Sequence, residues 1–328
     1  MMLAMCAGFI ACSDDDEEEI VAEETPSPTM EEEYSDNFFS IEGASFHEGN
    51  LPEATSEEEI GNVSYNDRAL SGGMNFIVVN SEKAYQKFYV GIEGKEGYWE
   101  YNPNTSRSSS TIYTIPIMYG TDYNQDLVMV IIGVDENGNI TVHYIFTVTH
   151  VDSESGDINI NLTFSTPKDV DLHLYTPSGK HIYYGERGGT TTINGEQVSY
   201  GLDHDSNPAC RLDYLNNENI YIPAELVENG EYRVEVDLYS NCSRAYDCSW
   251  AVITRYKGNI IPNELSGYNN PAMGTYEANA YNGDHTTIMK FTITDADNAA
   301  KPQNISPMNF TPRGVTAAEL NKIEYEAD

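Results

Sequence analysis

From about residue 60 to residue 297, apolar side chains recur at every second position. They fall in short runs rich in Val, Ile, Tyr and Thr, broken by Gly, Asn, Asp and Pro. Period-two alternation predicts half-buried strands, and helical spacing is nearly absent. "MNFIVVN" (Met74 to Asn80), "YQKFYVGIEG" (Tyr85 to Gly94) and "TIYTIPIMYG" (Thr111 to Gly120) read as strands. "LVMVIIGVDENGNITVHYIFTVTHV" reads as a hairpin, with Asn137-Gly138 supplying the positive-φ positions of a tight turn. "VDENGN" lacks the spacing and terminal Glu of a calcium loop and is assigned to that turn. These runs predict an immunoglobulin-like antiparallel sandwich over residues 59–152, without a chemistry-bearing motif.

The pattern continues from "SGDINI" with "ININLTFS", "VDLHLYTP", "KHIYYG", "ENIYIP", "GEYRVEVDLYS", "SWAVITRYKG" and "TTIMKFTIT". Turns fall at Pro177-Ser178-Gly179 and Asn229-Gly230. A second β-sandwich is therefore predicted over 153–297. The tail, 298–328, carries three prolines and one short helical candidate, "TAAELNKIEY".

Charge changes the picture before residue 60. The chain of 328 residues has a net charge of −36. Residues 1–60 hold eighteen Asp and Glu and neither Lys nor Arg. Such an excess repels nucleic acid and anionic membrane surfaces, which excludes a nucleic-acid binder. With like charges and little apolar surface, residues 12–58 are expected to form a disordered, flexible acidic stalk. "DNFFSIEGASF" (Asp36 to Phe46) carries apolar residues, but it is assigned to the stalk rather than to a docked segment. Residues 1–11 are too short to span a bilayer and match the end of a signal segment. The stretch ending at Ala11-Cys12 resembles the lipobox of bacterial lipoproteins, and "SDDDE" after it resembles the surface-export signal of Bacteroidetes lipoproteins. That resemblance implies lipidation of Cys12 and a surface-exposed position on the outer membrane.

Candidate chemistry concentrates in the second block. In "KDVDLHLYTP", side chains two apart share a face, so Asp169, Asp171 and His173 lie opposite Val170, Leu172 and Leu174. "YGLDHDSNPACRLD" repeats the spacing with Asp203 and Asp205, followed by Asn207. Four carboxylates brought together repel unless a cation or protons intervene. A hard divalent cation takes six to eight oxygens, and Glu218 or Asn219 in "NNENIYIP" offers the chemistry to complete the shell. The expected cofactor is calcium at Asp169, Asp171, Asp203, Asp205, Asn207 and Glu218. His173 and His204 flank these residues, but the set is oxygen-rich, and the histidines read as hydrogen-bonded neighbours rather than zinc ligands.

"DVDLHLYTPSGKHIYYG", "GLDHDSNPACRLD", "ENIYIP" and "GEYRVEVDLYS" occur in the order of a widespread bacterial domain, and the region resembles the YfaP-like uncharacterised family. The resemblance covers about residues 157–260 and implies an all-β sandwich in exported proteins, with the family's acidic blocks on Asp169, Asp171, Asp203 and Asp205. The insert "RGGTTTINGEQVSYG" alters the usual spacing between them. Of Cys210, Cys242 and Cys248, an exported protein oxidises two. Chain entropy gives roughly 3.7 kcal/mol for Cys210–Cys242 and roughly 2.4 for Cys242–Cys248, which does not decide. Cys210–Cys242 is expected because Cys210 lies in a block shared with that family and both lie near strand ends.

Hydrolase elbows, HExxH and P-loops are absent from the sequence, so an enzyme is not expected. Tyr268, Tyr276 and Tyr281 sit in turn-rich sequence and are candidates for ligand binding, because Tyr offers a flat apolar face with a polar tip. The reading is an all-β protein of two tandem antiparallel sandwiches after an acidic stalk. Its expected role is a lipid-anchored, calcium-stabilised binding or structural module with a glycan or surface-protein partner. The alternatives are a glycan-binding accessory protein of a polysaccharide-utilisation system and a metal-dependent hydrolase.

Overall fold

The computed structural model describes residues 27–103 and 112–294 and the strand 306–307. It is nearly all β, arranged as four sheets around two large hydrophobic cores. The first core lies between a four-stranded sheet and a six-stranded sheet. The four-stranded sheet runs Phe39–Ser40, Ile112–Tyr119, Met74–Asn80, Asn62–Tyr65. In the six-stranded sheet, Tyr85–Ile92, Leu127–Asp135 and Tyr144–Val151 are central, and Arg68–Leu70 adds to one edge in parallel. Alternation drives the packing: Tyr113, Ile115, Ile117 and Tyr119 are buried while Ile112 faces out.

The predicted hairpin forms, but its turn is built differently. Gly138 has φ +82°, Asn137 is not left-handed, and Asp135 instead accepts the N–H groups of Asn137 and Asn139, both at 2.8 Å. The aspartate side chain organises the turn in place of a second positive-φ residue.

The stalk expected over residues 12–58 does not hold for its described part. Met30–Asn37 is a helix capped by Thr29, which accepts from the Glu32 N–H while the Glu32 carboxylate accepts from the Thr29 N–H at 2.7 Å. Glu31, Glu32 and Glu33 lie in its first turn, where the helix dipole favours negative charge. The acidic triplet that reads as repulsion is therefore a helix start. Tyr34, Phe39 and Ile41 enter the first core, and the Trp99 indole donates to the Phe39 carbonyl. Gly120 permits this docking, since a Cβ there would lie 1.9 Å from the Asp36 carbonyl oxygen.

The second core lies between a large sheet and a four-stranded one. The large sheet has the path Cys248–Tyr256, Ile158–Phe164, Asn217–Ile222, Glu196–His204, Gly188–Ile193 at its centre. The smaller sheet runs His181–Ile182, Asp169–Tyr175, Gly230–Ser240, Asp284–Ile293. Met74 and Phe76 of the first sandwich pack on Ala251 and Ile253 of the second. Around that patch Thr163 donates to Asn75 at 2.9 Å and Arg68 to the Asp213 carbonyl at 3.1 Å. Ser306–Pro307 pairs with the Gly188–Ile193 edge; Cys12 and the helical candidate of the tail lie outside the described residues.

Phe39 is fully buried, so Phe39→Ala should cost about 3 kcal/mol or more. Thermal unfolding of the full chain checks this, and an unchanged midpoint would restore the free stalk.

Candidate functional site

The Asp169–Tyr175 strand is where the site begins. Val170, Leu172 and Leu174 enter the core, and Asp169, Asp171 and His173 lie on the other face, as the alternation predicts. That face is not open to water: these three residues are 1%, 3% and 4% exposed. The strand is paired on one side along its length by Gly230–Ser240, but on the other only Leu174 and Tyr175 find partners. Glu218, fully buried on the larger sheet, covers that open edge. Its Oε2 accepts the Leu172 N–H at 2.7 Å and its Oε1 accepts the Ser206 N–H at 3.2 Å. One carboxylate thus ties the two sheets together where backbone donors would be left unpaired.

Three of the six expected ligands meet here. Oxygens of Asp171, Asp205 and Glu218 lie within 4.8 Å of one another, and all three residues are buried. Asp169 lines the same cleft, a space of about 140 Å³ bounded also by Tyr184, Pro208, Ala209 and Tyr239. The Ala209 and Cys210 amides lie close enough to offset part of the burial that raises Asp169, while the Cys210 N–H itself donates to the Asn207 carbonyl at 2.9 Å. Ala209 and Cys210 both have positive φ, 52° and 62°. The loop turns on itself there, the Arg211 N–H donating to the Pro208 carbonyl at 3.1 Å.

Asp203 and Asn207 do not join the set. The Glu196–His204 strand bulges: Leu202 pairs with Ile220 and His204 with the next residue, Asn219, leaving Asp203 as the extra residue. The bulge breaks the shared face expected of Asp203 and Asp205. Asp203 instead accepts from Asn219 Nδ2 and the Glu154 N–H, both at 2.6 Å. Asn207 organises its loop, donating to the Lys168 carbonyl and accepting from the N–H groups of Asp213 and Tyr214. The Tyr set is also corrected. Tyr276 is buried, its hydroxyl donating to the Val236 and Asp284 carbonyls, and Tyr268 packs on the second core. Tyr281 alone is fully open. The exposed rings beside the carboxylates are Tyr184 and Tyr239.

Two site residues escape the sequence reading. Arg187, in the insert, pairs with Asp205. It arrives there because the Gly188–Ile193 hairpin strand aligns Gly188 with Gly201, and the Leu202 N–H donates to the Arg187 carbonyl at 2.7 Å. Asp237 faces Asp171 directly across the sheet. Its signal was present, since period two in "GEYRVEVDLYS" puts Glu235, Asp237 and Tyr239 opposite Val236 and Leu238. The expected Cys210–Cys242 disulfide is formed, and Cys248 is free and buried. The bond fastens the loop carrying Pro208 and Ala209 to the end of the Gly230–Ser240 strand.

The charges do not balance internally. Burial, reinforced by the neighbouring carboxylates, pushes Asp171 up to about 8 and Asp169 up to about 7; burial and Asp171 hold Glu218 well above the usual range. Asp169 Oδ2, Asp205 Oδ1 and Asp237 Oδ1 are buried without hydrogen-bond partners. Carboxylates so placed either keep protons or receive a cation.

No protein-family model matches the chain, and no curated protein matches its sequence. Among solved structures it is similar to the Bacteroides ovatus mixed-linkage glucan utilization locus SGBP-B in complex with a mixed-linkage heptasaccharide. Identity is 14% over 67% of this chain and 45% of that one, so less than half of that protein is spanned, with a TM-score of 0.21. It is also similar to the D00-D0 domain of Intimin, with 10% identity, coverage of 53% and 91%, and a TM-score of 0.19. A third likeness is to a pullulanase complexed with maltotriose from Anoxybacillus sp. LM18-11, with 11% identity, coverage of 55% and 24%, and a TM-score of 0.16. These likenesses are too distant to bear on the site. No helix among the described residues is long and apolar enough to cross a membrane.

In chelator, Asp169 and Asp171 bind protons in the folded chain that the unfolded chain has released above its ordinary carboxylate range. Their folded values are raised, so this stability is full below about pH 4 and is lost as pH rises through 7 to 8. The melting temperature in chelator should fall across that window, and Asp171→Asn should flatten the fall. A parallel decline in both proteins would assign it to general repulsion among the acidic excess.

Proposed function

We propose that the chain is a cell-surface β-sandwich protein without enzymatic activity, whose second sandwich is a calcium-stabilised binding or structural module. One observation carries this reading: Asp171, Asp205 and Glu218 converge in a buried seam between two sheets, with an unpartnered oxygen on Asp205. These are hard oxygen donors from three different strands or strand ends, as a divalent calcium ion requires. Asp169 supports the same reading from the other wall of the cleft, with its own unpartnered oxygen. Arg187 neutralises one carboxylate only, which leaves net negative charge for the ion. The cleft reaches the surface beside Tyr184 and Tyr239, so an ion here also supports a recognition surface.

Extracellular calcium modules bind with dissociation constants on the order of 10⁻⁴ to 10⁻³ M. At roughly millimolar calcium, linkage then gives about 0.4 to 1.4 kcal/mol of stabilisation. For a sandwich of about 150 residues this is a melting shift of roughly 1 to 6 °C. Calcium should raise the melting temperature of chelated protein by that amount, magnesium by less, and Asp171→Asn or Asp205→Asn should abolish the shift. Equal melting with and without calcium in the unsubstituted protein would remove the ion from the reading.

The surface location rests on Cys12 and the acidic run after it. Cys12→Ser should release the protein from the detergent phase of its host's membranes, and undiminished partitioning of that variant would contradict a lipid anchor.

A further inference from the structure

His173 is more than a neighbour of the carboxylates. Its Nδ1 lies 2.9 Å from His181 Nε2, while its own Nε2 is buried with no hydrogen-bond partner. Stacking fixes the ring: Tyr183 lies nearly parallel to both His173 and His181, with centroids 5.3 and 4.0 Å away. An imidazole whose Nδ1–H donates to His181 presents a lone pair at Nε2. That is how a metal-ligating histidine is held, with its other nitrogen tied to a second group.

The His173 ring has two carboxylates beside it. Ligand atoms of Asp171, His173 and Asp237 lie within 4.8 Å of one another. Asp237 is 9% exposed, directly opposite Asp171 in the ladder, and its Oδ1 has no partner. Two carboxylates facing each other across strands destabilise a sheet. Glu235, the next outward-facing residue of the same strand, is already committed to Arg233, Thr287 and His285.

We propose that Asp171, His173 and Asp237 form a second cation position, for a borderline transition ion of the zinc class, distinct from the oxygen-only position at Asp171, Asp205 and Glu218. Asp171 belongs to both groups and bridges them. Imidazole nitrogen favours zinc over calcium, which takes oxygen donors. A tetrahedral zinc shell has ligand atoms about 3.4 Å apart, so the three side chains need to close by no more than about 1.4 Å. Three protein ligands leave a fourth position for water or a donor atom of a bound partner.

This proposal shares Asp171 with the calcium reading but not its other ligands, so the two fail separately. Zinc binding to the full chain, titrated against a fluorescent zinc indicator at saturating calcium, should show one site. His173→Gln should weaken it at least tenfold and leave the calcium-dependent melting shift in place. Asp237→Asn, nearly isosteric, should do the same if His173→Gln folds poorly. Asp205→Asn should lose the calcium shift and keep zinc, and Asp171→Asn should lose both. Zinc that displaces calcium one for one, or binds both His173→Gln and Asp237→Asn as it binds the unsubstituted protein, would overturn the second position. Zinc bound without any calcium shift would retain it and discard the calcium reading alone.

Discussion

The seam between the two sheets of the second sandwich holds buried carboxylates and one guanidinium, and the local architecture answers that imbalance. Glu218 is the member that the fold cannot dispense with, because it caps the Leu172 amide of the opposite sheet and the Ser206 amide just past the neighbouring strand of its own. Removing it would leave buried donors unpaired, at a cost of about 1–3 kcal/mol for each. Yet keeping it there brings its charge to Asp171 and Asp205. The edge of one strand is thus closed by a group that creates an electrostatic problem next door. Arg187 relieves part of it through Asp205, and the Ala209 and Cys210 amides relieve part of it at Asp169.

Each of these devices draws on the chain elsewhere. The left-handed backbone at Ala209 and Cys210 is costly for non-glycine residues. The Cys210–Cys242 bond holds that stretch against the end of the Gly230–Ser240 strand, and Asn207 braces it from inside through four hydrogen bonds. Disulfide, bracing amide and amide pair all act on the loop that carries one wall of the cleft. A loop needed only to connect strands would not require a buried carboxylate, a cross-link and consecutive positive-φ residues in a few positions.

Much of this was legible in the sequence. Strand positions followed from period two, because each sheet buries one face. The crowding of the two D-x-D stretches read as four carboxylates in one place; Asp171 and Asp205 do meet there, with Glu218, while Asp203 does not. What failed did so for local reasons. A bulge is one residue of register, and nothing in "GLDHD" marks which aspartate it ejects. Arg187 reaches Asp205 only through hairpin pairing, and a charge in an insert has no period to betray its partner. The Met30–Asn37 helix was hidden because three glutamates that repel in an open chain are favoured at a capped N-terminus. Tyr276 looked like a surface ring in turn-rich sequence but supplies a hydroxyl to two carbonyls inside the core.

His173 shows where composition misleads most. One imidazole among many carboxylates is easily read as a hydrogen-bonded bystander, and its Nδ1 does have such a partner. The decisive fact is at the other end of the ring, where Nε2 is buried without one. A surface histidine would pass that lone pair to water. Here Tyr183 and Tyr184 flank the ring, and its polar surroundings toward the strand are Asp171 and Asp237, acceptors that cannot satisfy a lone pair unless one of them carries a proton. A cation satisfies the nitrogen and both oxygens at once, whereas a proton satisfies one pair and leaves the third group buried and unmatched. The outer face of the Asp169–Tyr175 strand is therefore organised around positive charge, which among the described residues comes from Arg187 and, at its far edge, from Arg233.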